Sequence, residues 1–201
     1  MTPFQQLYLG MGAKKNTYTD DVFSTYLYKG NASTRSLNNG LNLSSEGGMT
    51  WIKVRSNGTY IHHIYDTARG AGRAIYSAYN YAQSSVASDK LTAFNSNGYS
   101  LGASSDVNDS SHTYASWSFR KAKGFFDVVT YTGNGSNRTI AHSLGSVPGF
   151  YMIKRTDTTS DWICFHREFI TGNHYMVLNS TASMVSESDV AQNTRPTSSV
   201  F

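Results

Sequence analysis

Short runs along the chain alternate between apolar and polar residues with a period of two. Between Tyr114 and Phe119, apolar Ala115, Trp117 and Phe119 alternate with tyrosine and serine. In the run 126–131, Phe126, Val128 and Thr130 alternate with Asp127, Val129 and Tyr131. Successive side chains of a β-strand point to opposite faces of a sheet, so both runs predict strands.

Turn signals separate these runs. Asn-Gly or Pro-Gly pairs occur at Asn57-Gly58, Asn97-Gly98, Asn134-Gly135 and Pro148-Gly149, and such pairs favour tight turns. The stretch from Ala71 to Ala87 resembles a helix in composition, but its tyrosines lie among serine and asparagine, which favours strands and loops. The whole pattern predicts an all-β fold of many short strands.

The sequence also repeats itself, with a period of about 100 residues. A glycine before an apolar run that ends in Ile-Lys recurs at Ile52-Lys53 and Ile153-Lys154. Six further residues recur in order: Phe23/Phe126, Tyr28/Tyr131, Gly30/Gly133, Asn31/Asn134, Arg35/Arg138 and Leu41/Leu144. The repeat predicts two tandem β-sandwich units of the jelly-roll or laminin-G-like kind, 23–122 and 123–201, or two halves of one pseudo-symmetric sandwich.

The second copy lacks the end of the first. Residues 197–201 align with residues 95–99, and the first copy then continues through Ser100 to Phe119. Loss of that last strand would leave a sheet edge without hydrogen-bond partners. We therefore expect either that the natural protein continues beyond Phe201 or that another subunit donates the strand.

Residues 1–22 have no counterpart before the second copy. Thr2 suits a helix N-cap and Pro3 the first helical position. Apolar residues then follow at helical spacing, namely Phe4, Leu7, Tyr8 and Met11. Isolated helices this short are marginal in water, so we predict an anchor segment whose apolar stripe docks on another protein. Packing against the chain's own sandwich and disorder are the alternatives.

Charge and cysteine content narrow the class of protein. The net charge of +4 arises from 17 basic and 13 acidic residues spread thinly along the chain, which disfavours nucleic-acid binding. The single cysteine, Cys164, lies in an apolar run and predicts a buried, inert thiol. No apolar stretch approaches the roughly 20 residues of a membrane span, and no secretory signal is present. We expect synthesis in a cytoplasm without secretion or membrane insertion.

The sequence contains no motif for catalysis, a cofactor or a metal. The adjacent His62 and His63 would point to opposite faces of a strand, and paired-cysteine or His-Glu-x-x-His spacing is absent. Gly-x-Ser-x-Gly is also absent, and no local carboxylate pair suggests a glycosidase. The stretch Arg69 to Arg73 is interpreted as a turn flanked by solvated arginines rather than an anion site. We predict that the protein is not an enzyme.

Aromatic residues are the remaining candidates for binding. Exposed tyrosine and tryptophan side chains stack on sugar rings and supply rigid contact area. The three tryptophans lie within predicted strands, where core packing is the favoured role. The tyrosines of the loop-like stretch are therefore the candidates for glycan contact: Tyr76, Tyr79 and Tyr81.

Several of these runs resemble a repeat found in structural proteins of tailed bacteriophages, particularly marine and cyanobacterial phages. In the second copy they are WSFRKAKGFFDVVTYTGNGS (117–136), HSLGSVPG (142–149) and IKRTD (153–157). In the first copy they are GGMTWIK (47–53) and DTARG (66–70). The resemblance covers about residues 20–201 and implies concanavalin- or laminin-G-like sandwiches.

The resemblance implies a virion protein, namely the N-terminal portion of a tail fibre or related appendage. Residues 1–22 would attach it to a tail adaptor or nozzle protein, or to the capsid. The sandwiches would then support binding to a host receptor, with host-surface glycan as a candidate ligand. Analogy with fibres implies a homotrimer. The alternatives are a capsid decoration protein and a lectin or glycan-active enzyme.

Overall fold

The described part of the chain folds into antiparallel sheets joined by loops, and its helices are single four-residue turns. The computed structural model of the chain describes residues 17–169 and 171–201. The predicted all-β class is confirmed. Among the described residues, no helix is long and apolar enough to cross a membrane. The elements are, in chain order, α1 Thr19–Val22, β1 Phe23–Lys29, β2 Arg35–Asn38, α2 Leu43–Glu46, β3 Gly48–Val54, β4 His63–Asp66, β5 Leu91–Asn95, β6 Gly98–Leu101, α3 Ser105–Asn108, β7 Thr113–Arg120, β8 Phe150–Lys154, β9 Trp162–His166, β10 His174–Val177, β11 Val185–Ser186 and α4 Ser188–Ala191.

The first copy is a two-layer sandwich. One layer has the strand order β1-β7-β3-β4 and the other the order β2-β6-β5. Between them lies a core of aliphatic residues and tyrosines from both sheets, the β4–β5 loop and α3: Tyr28, Leu37, Ile52, Val54, Tyr65, Ala74, Leu91, Tyr99, Leu101, Val107 and Tyr114. Burial of this apolar area is the main force that holds the two layers together.

Strand β7 forms where the alternation predicts it, and it occupies the centre of the first sheet. It pairs antiparallel with β1 on one side and with β3 on the other. Its buried serines are hydrogen-bonded: Ser116 Oγ accepts from the hydroxyl of Tyr99 (2.7 Å), and Ser118 Oγ lies 3.0 Å from Thr50 Oγ1. Satisfied hydroxyls of this kind remove the cost of burying polar groups.

The described part of the predicted anchor segment packs on the first copy. Residues 19–22 form α1, which runs directly into β1. Val22 is buried, and the carbonyl oxygen of Asp21 accepts a hydrogen bond from Arg120 Nε (2.8 Å). The predicted docking residues Phe4, Leu7, Tyr8 and Met11 lie outside the described residues.

The repeated sequence gives repeated local structure. The guanidinium of Arg35 donates to the carbonyl oxygen six residues before it (2.7 Å) and lies 5.6 Å from the ring centroid of Tyr28. Arg138 makes the same hydrogen bond (3.0 Å) and lies 5.8 Å from the ring of Tyr131. In both copies, therefore, an arginine side chain stabilises the same turn.

The end of the chain also repeats the pairing of the first copy. In the first copy, Leu37 of β2 is the register partner of Tyr99 in β6. In the second, Ile140 and Phe201 exchange two backbone hydrogen bonds, of 2.7 and 3.0 Å. Residues 197–201 therefore lie where residues 95–99 lie in the first copy.

The predicted strand 126–131 is not formed, and that prediction was wrong. Only Phe126 makes an isolated bridge, to Ala122. The counterpart of this stretch is β1, whose ladder runs along β7 alone. The second copy has the sheet order β11-β10-β9-β8, and within the described residues β8 pairs only with β9. Alternating residues cannot form a strand where the partner strand is missing.

The two copies pack through a second apolar cluster on the outer face of the first sheet. Trp162 of β9 is buried there against Met49 and Ile64 of the first copy. Partly buried residues surround them: Trp51, Phe119, Phe126 and Met152. The next side chain that points inward from β9, Cys164, is buried, and burial raises the pKa of its thiol, as expected for an inert cysteine.

Candidate ligand-binding surface

Three tyrosines of the loop between β4 and β5 contact one another at the surface. The rings of Tyr79 and Tyr81 are parallel, with centroids 4.9 Å apart, and Tyr76 meets Tyr81 edge-on at 6.2 Å. Tyr79 is 40 % exposed and Tyr81 50 %, whereas Tyr76 is half-buried. We call these three residues the tyrosine surface. The structure therefore brings together all three tyrosines that the sequence suggested for glycan contact.

The loop that carries the tyrosine surface has little regular structure, and the second copy holds it in place. Over 71–87 the sequence predicted strands and loops, and the structure has loop with one isolated bridge, at Ile75. Three backbone or indole hydrogen bonds of 2.8 to 2.9 Å cross between the copies: Trp162 Nε1–H to the oxygen of Tyr76, Ser160 N–H to the oxygen of Asn80, and Gln83 N–H to the oxygen of Thr156. A surface fixed in this way loses little conformational entropy when a ligand binds.

An internal ion pair also fixes the base of this loop. Arg69 Nε donates to Asp66 Oδ2 (2.6 Å), and the two side chains are only 7 % and 4 % exposed. Arg69 also donates to the carbonyl oxygen of Arg73 (2.9 Å) and to Gln83 Oε1 (3.1 Å). The prediction of a solvated arginine was wrong for Arg69, because a carboxylate three residues earlier turns it inward; Arg73 is exposed.

A polar cluster lies directly beside Tyr76. The ring of His63 is 5.2 Å from the ring of Tyr76, and His63 Nε2 is 3.6 Å from Asp106 Oδ2. Lys90 Nζ lies 2.7 Å from the same carboxylate oxygen.

His63 and then Lys90 hold the pKa of Asp106 well below its usual range. Burial acts to lower the pKa of Lys90, but its hydrogen bond to Asp106 outweighs this effect and raises it. A carboxyl group with a lowered pKa is ionised near neutral pH, which makes Asp106 a poor general acid.

This cluster opens onto a shallow cleft of about 380 Å³ lined by Thr59, Tyr60, Ile61, His63 and Asp106. The walls offer hydroxyl, imidazole and carboxylate groups, which suit hydrogen bonds to a polyol such as a sugar. No group of three histidine, cysteine or acidic residues that could hold a metal ion occurs within the described ranges. Sequence reasoning missed this cluster, because the fold brings His63, Lys90 and Asp106 together from separate elements and none carries a local motif.

The two adjacent histidines face apart, as predicted. His62 Nδ1 accepts a hydrogen bond from Trp51 Nε1 (2.8 Å), whereas His63 points toward Asp106. Burial, and then the charge of Lys53, lowers the pKa of His62. The tryptophans pack inside the molecule rather than serving as a binding platform: Trp162 is buried, and Trp51 is half-buried and meets a second half-buried tryptophan edge-on.

Fold and surface together define an all-β protein with a cluster of tyrosines at the surface beside a polar cleft. The chain belongs to the DUF7483 family, a domain of unknown function, which matches residues 18–201. The match includes both copies of the repeat. No curated protein and no solved structure matches the chain.

Proposed function

We propose that this protein is a non-enzymatic structural and host-attachment protein of a tailed-phage virion, and that its tyrosine surface contacts host-surface glycan. It would form part of a tail fibre or related appendage. The tyrosine surface is the observation that carries the proposal. Tyr79 and Tyr81 stack on each other beside Tyr76, and their exposed ring surface offers apolar area on which a sugar ring can stack. Hydrogen bonds between the copies hold the loop in place.

The neighbouring cleft supports binding rather than cleavage of a glycan. Most glycosidases use two carboxyl groups, one of which must be protonated to act as an acid. The cleft lining includes a single acidic residue, Asp106, and its low pKa keeps it ionised. Asp106 can therefore accept hydrogen bonds from sugar hydroxyls and is a poor proton donor.

Attachment and assembly belong to the same proposal. Residues 1–22 would join the protein to a tail adaptor, a nozzle protein or the capsid, and three copies would form the appendage. The tandem sandwiches would hold the tyrosine surface away from the attachment point. A capsid decoration protein would need the same anchor, so position in the particle separates the two functions.

Glycan binding can be tested with the 201-residue chain on arrays of bacterial surface polysaccharides. We expect Tyr79→Ala and Tyr81→Ala each to weaken binding by about threefold to tenfold, as loss of one aromatic contact implies. Tyr18→Ala is the matched control, because Tyr18 is an exposed tyrosine outside this surface and its removal should leave binding unchanged. Absence of glycan binding, or equal losses in all three variants, would refute the tyrosine surface as the site. Shortening of the bound glycan would favour an enzyme.

A further inference from the structure

A histidine of the first copy is buried at a position that an isoleucine fills in the second copy. His63 of β4 is the register partner of Ile52, and Ile163 of β9 is the partner of Ile153, the residue that matches Ile52 in the repeat. His63 is 2 % exposed, and its Nδ1 is buried without a hydrogen-bond partner in the described part of the chain. An unpaired buried imidazole costs free energy. Since the second copy forms the same ladder with isoleucine, the fold does not require a histidine here.

Asp106, which lines the same cleft as His63, keeps one carboxylate oxygen open. Lys90 and His63 both lie nearest to Oδ2, at 2.7 and 3.6 Å. No hydrogen bond to Asp106 Oδ1 is formed within residues 17–169 and 171–201, and the side chain is 38 % exposed. A carboxylate ion accepts hydrogen bonds and cannot donate them. The cleft therefore suits a ligand group that donates a hydrogen bond to this oxygen.

The other groups that line the cleft favour the same kind of ligand. The hydroxyl of Thr59 donates to Asn57 Oδ1 (2.8 Å), so it can only accept a hydrogen bond from a ligand. The ring of Tyr60 and the side chain of Ile61 supply apolar area beside these acceptors. A sugar unit matches both features, because its hydroxyls donate hydrogen bonds while its C–H face packs on apolar groups.

The cleft and the tyrosine surface meet where His63 contacts Tyr76. The ring of Tyr76 lies 6.2 Å from the ring of Tyr81 and 5.2 Å from the ring of His63. We propose that the cleft is a second sugar subsite, in which Asp106 accepts a hydrogen bond from a free hydroxyl of the sugar unit next to the one on the tyrosine surface. This second subsite presupposes the glycan binding proposed above for the tyrosine surface. Asp106 is then a specificity-determining residue, and the ligand is an oligosaccharide of more than one unit.

Acetyl esters on the bound sugar should block the second subsite. An O-acetyl group replaces the hydroxyl hydrogen with an ester that can only accept, so it would face the Asp106 carboxylate without a hydrogen bond. A site that forms a hydrogen bond to a ligand hydroxyl discriminates against a ligand that lacks it. Because the Asp106 side chain is partly open to water, we expect this discrimination to be about tenfold rather than several orders of magnitude.

The test compares O-acetylated bacterial surface polysaccharides with the same polymers after mild base has removed their acetyl esters. We expect the 201-residue chain to bind the deacetylated polymers about tenfold more tightly by calorimetry. Asp106→Asn should weaken binding to the deacetylated polymers by about threefold to tenfold, because it replaces a charged acceptor with a neutral one. It should leave binding to the acetylated polymers unchanged. Asp157→Asn is the matched control, since Asp157 is an exposed acidic residue of the second copy and its change should alter neither affinity.

Tyr79→Ala separates the second subsite from the tyrosine surface. The losses from Tyr79→Ala and Asp106→Asn should add in the double variant, because the two residues contact different sugar units. The additional loss also shows that the Asp106→Asn protein is folded and retains its tyrosine surface. Absence of binding to every polymer, acetylated or not, would overturn both proposals. Binding that falls with Tyr79→Ala but not with Asp106→Asn, and that is equally strong for both forms of each polymer, would overturn the second subsite alone.

Discussion

A glycine-to-alanine substitution should destabilise the protein at Gly30 of the first copy but not at Gly133, the equivalent position of the second copy. Gly30 packs against the backbone of Asp109, and a Cβ there would sit 2.0 Å from its carbonyl oxygen and 2.7 Å from the carbonyl carbon of Asn108. Ordinary contact at a Cβ begins near 3.4 Å. Gly30→Ala therefore requires the backbone before β7 to move, and Gly133→Ala requires no movement, because a Cβ there would meet nothing within 4 Å.

The expected loss in the free energy of unfolding follows from the hydrogen bonds that hold this backbone segment. Gly30 N–H donates to the oxygen of His112 (3.0 Å), and Ala32 N–H donates to the oxygen of Asn108 (2.7 Å). Movement that relieves the clash strains both hydrogen bonds. We therefore expect Gly30→Ala to lower the free energy of unfolding by about 3 kcal/mol, the upper end of the range for an overpacked core. Gly133→Ala should be neutral or stabilise the chain by about 0.4–1 kcal/mol, through the lower entropy of the unfolded chain.

Equilibrium urea unfolding, followed by circular dichroism, measures both variants against the unmodified protein. We expect a clear fall in the unfolding midpoint for Gly30→Ala and none for Gly133→Ala. Amide exchange of β7 should accelerate only in the first variant. Equal stability of the two variants, or a larger loss from Gly133→Ala, would refute the proposed difference between the copies.

Two further substitutions test the hydrogen bond that holds the tyrosine-bearing loop and the carboxylate of the neighbouring cleft. Trp162→Phe removes the indole donor to the carbonyl oxygen of Tyr76, so we expect a loss of about 1–3 kcal/mol in the free energy of unfolding and weaker glycan binding. Asp106 has a folded pKa lowered by His63 and Lys90, so its stabilising effect is present above the unfolded pKa near 4 and is lost as the pH falls below it. Urea unfolding between pH 2 and 7 should therefore show a smaller acid-induced loss for Asp106→Asn than for the unmodified protein, and equal pH dependence would contradict this assignment.

Local pattern was enough to predict the fold class and strand β7. The alternation of Ala115, Trp117 and Phe119 predicts β7, because one face of that strand meets the sandwich core and the other meets the second copy. The same alternation failed over 126–131. Strand formation there depends on a partner that the local sequence does not encode, so alternation alone could not distinguish the two cases.

The candidate surface was predictable only in part. Tyr79 and Tyr81 lie among polar residues, which placed them at the surface, but their parallel stacking and their support from Trp162 are tertiary effects. The inward turn of Arg69 follows from a single carboxylate at Asp66, whose burial could not be judged from sequence. The proximity of Asp106 to this region depends on the topology of the whole first sandwich.

Cryo-electron microscopy of tailed-phage particles, searched for density that matches this chain, tests the proposed function most directly. The account predicts three copies per appendage, residues 4–11 in contact with a tail protein, and Tyr79 and Tyr81 facing away from the particle. Copies spread over the capsid shell would instead identify a decoration protein. Particles that lack the chain, with the protein found only as a free monomer, would contradict the account.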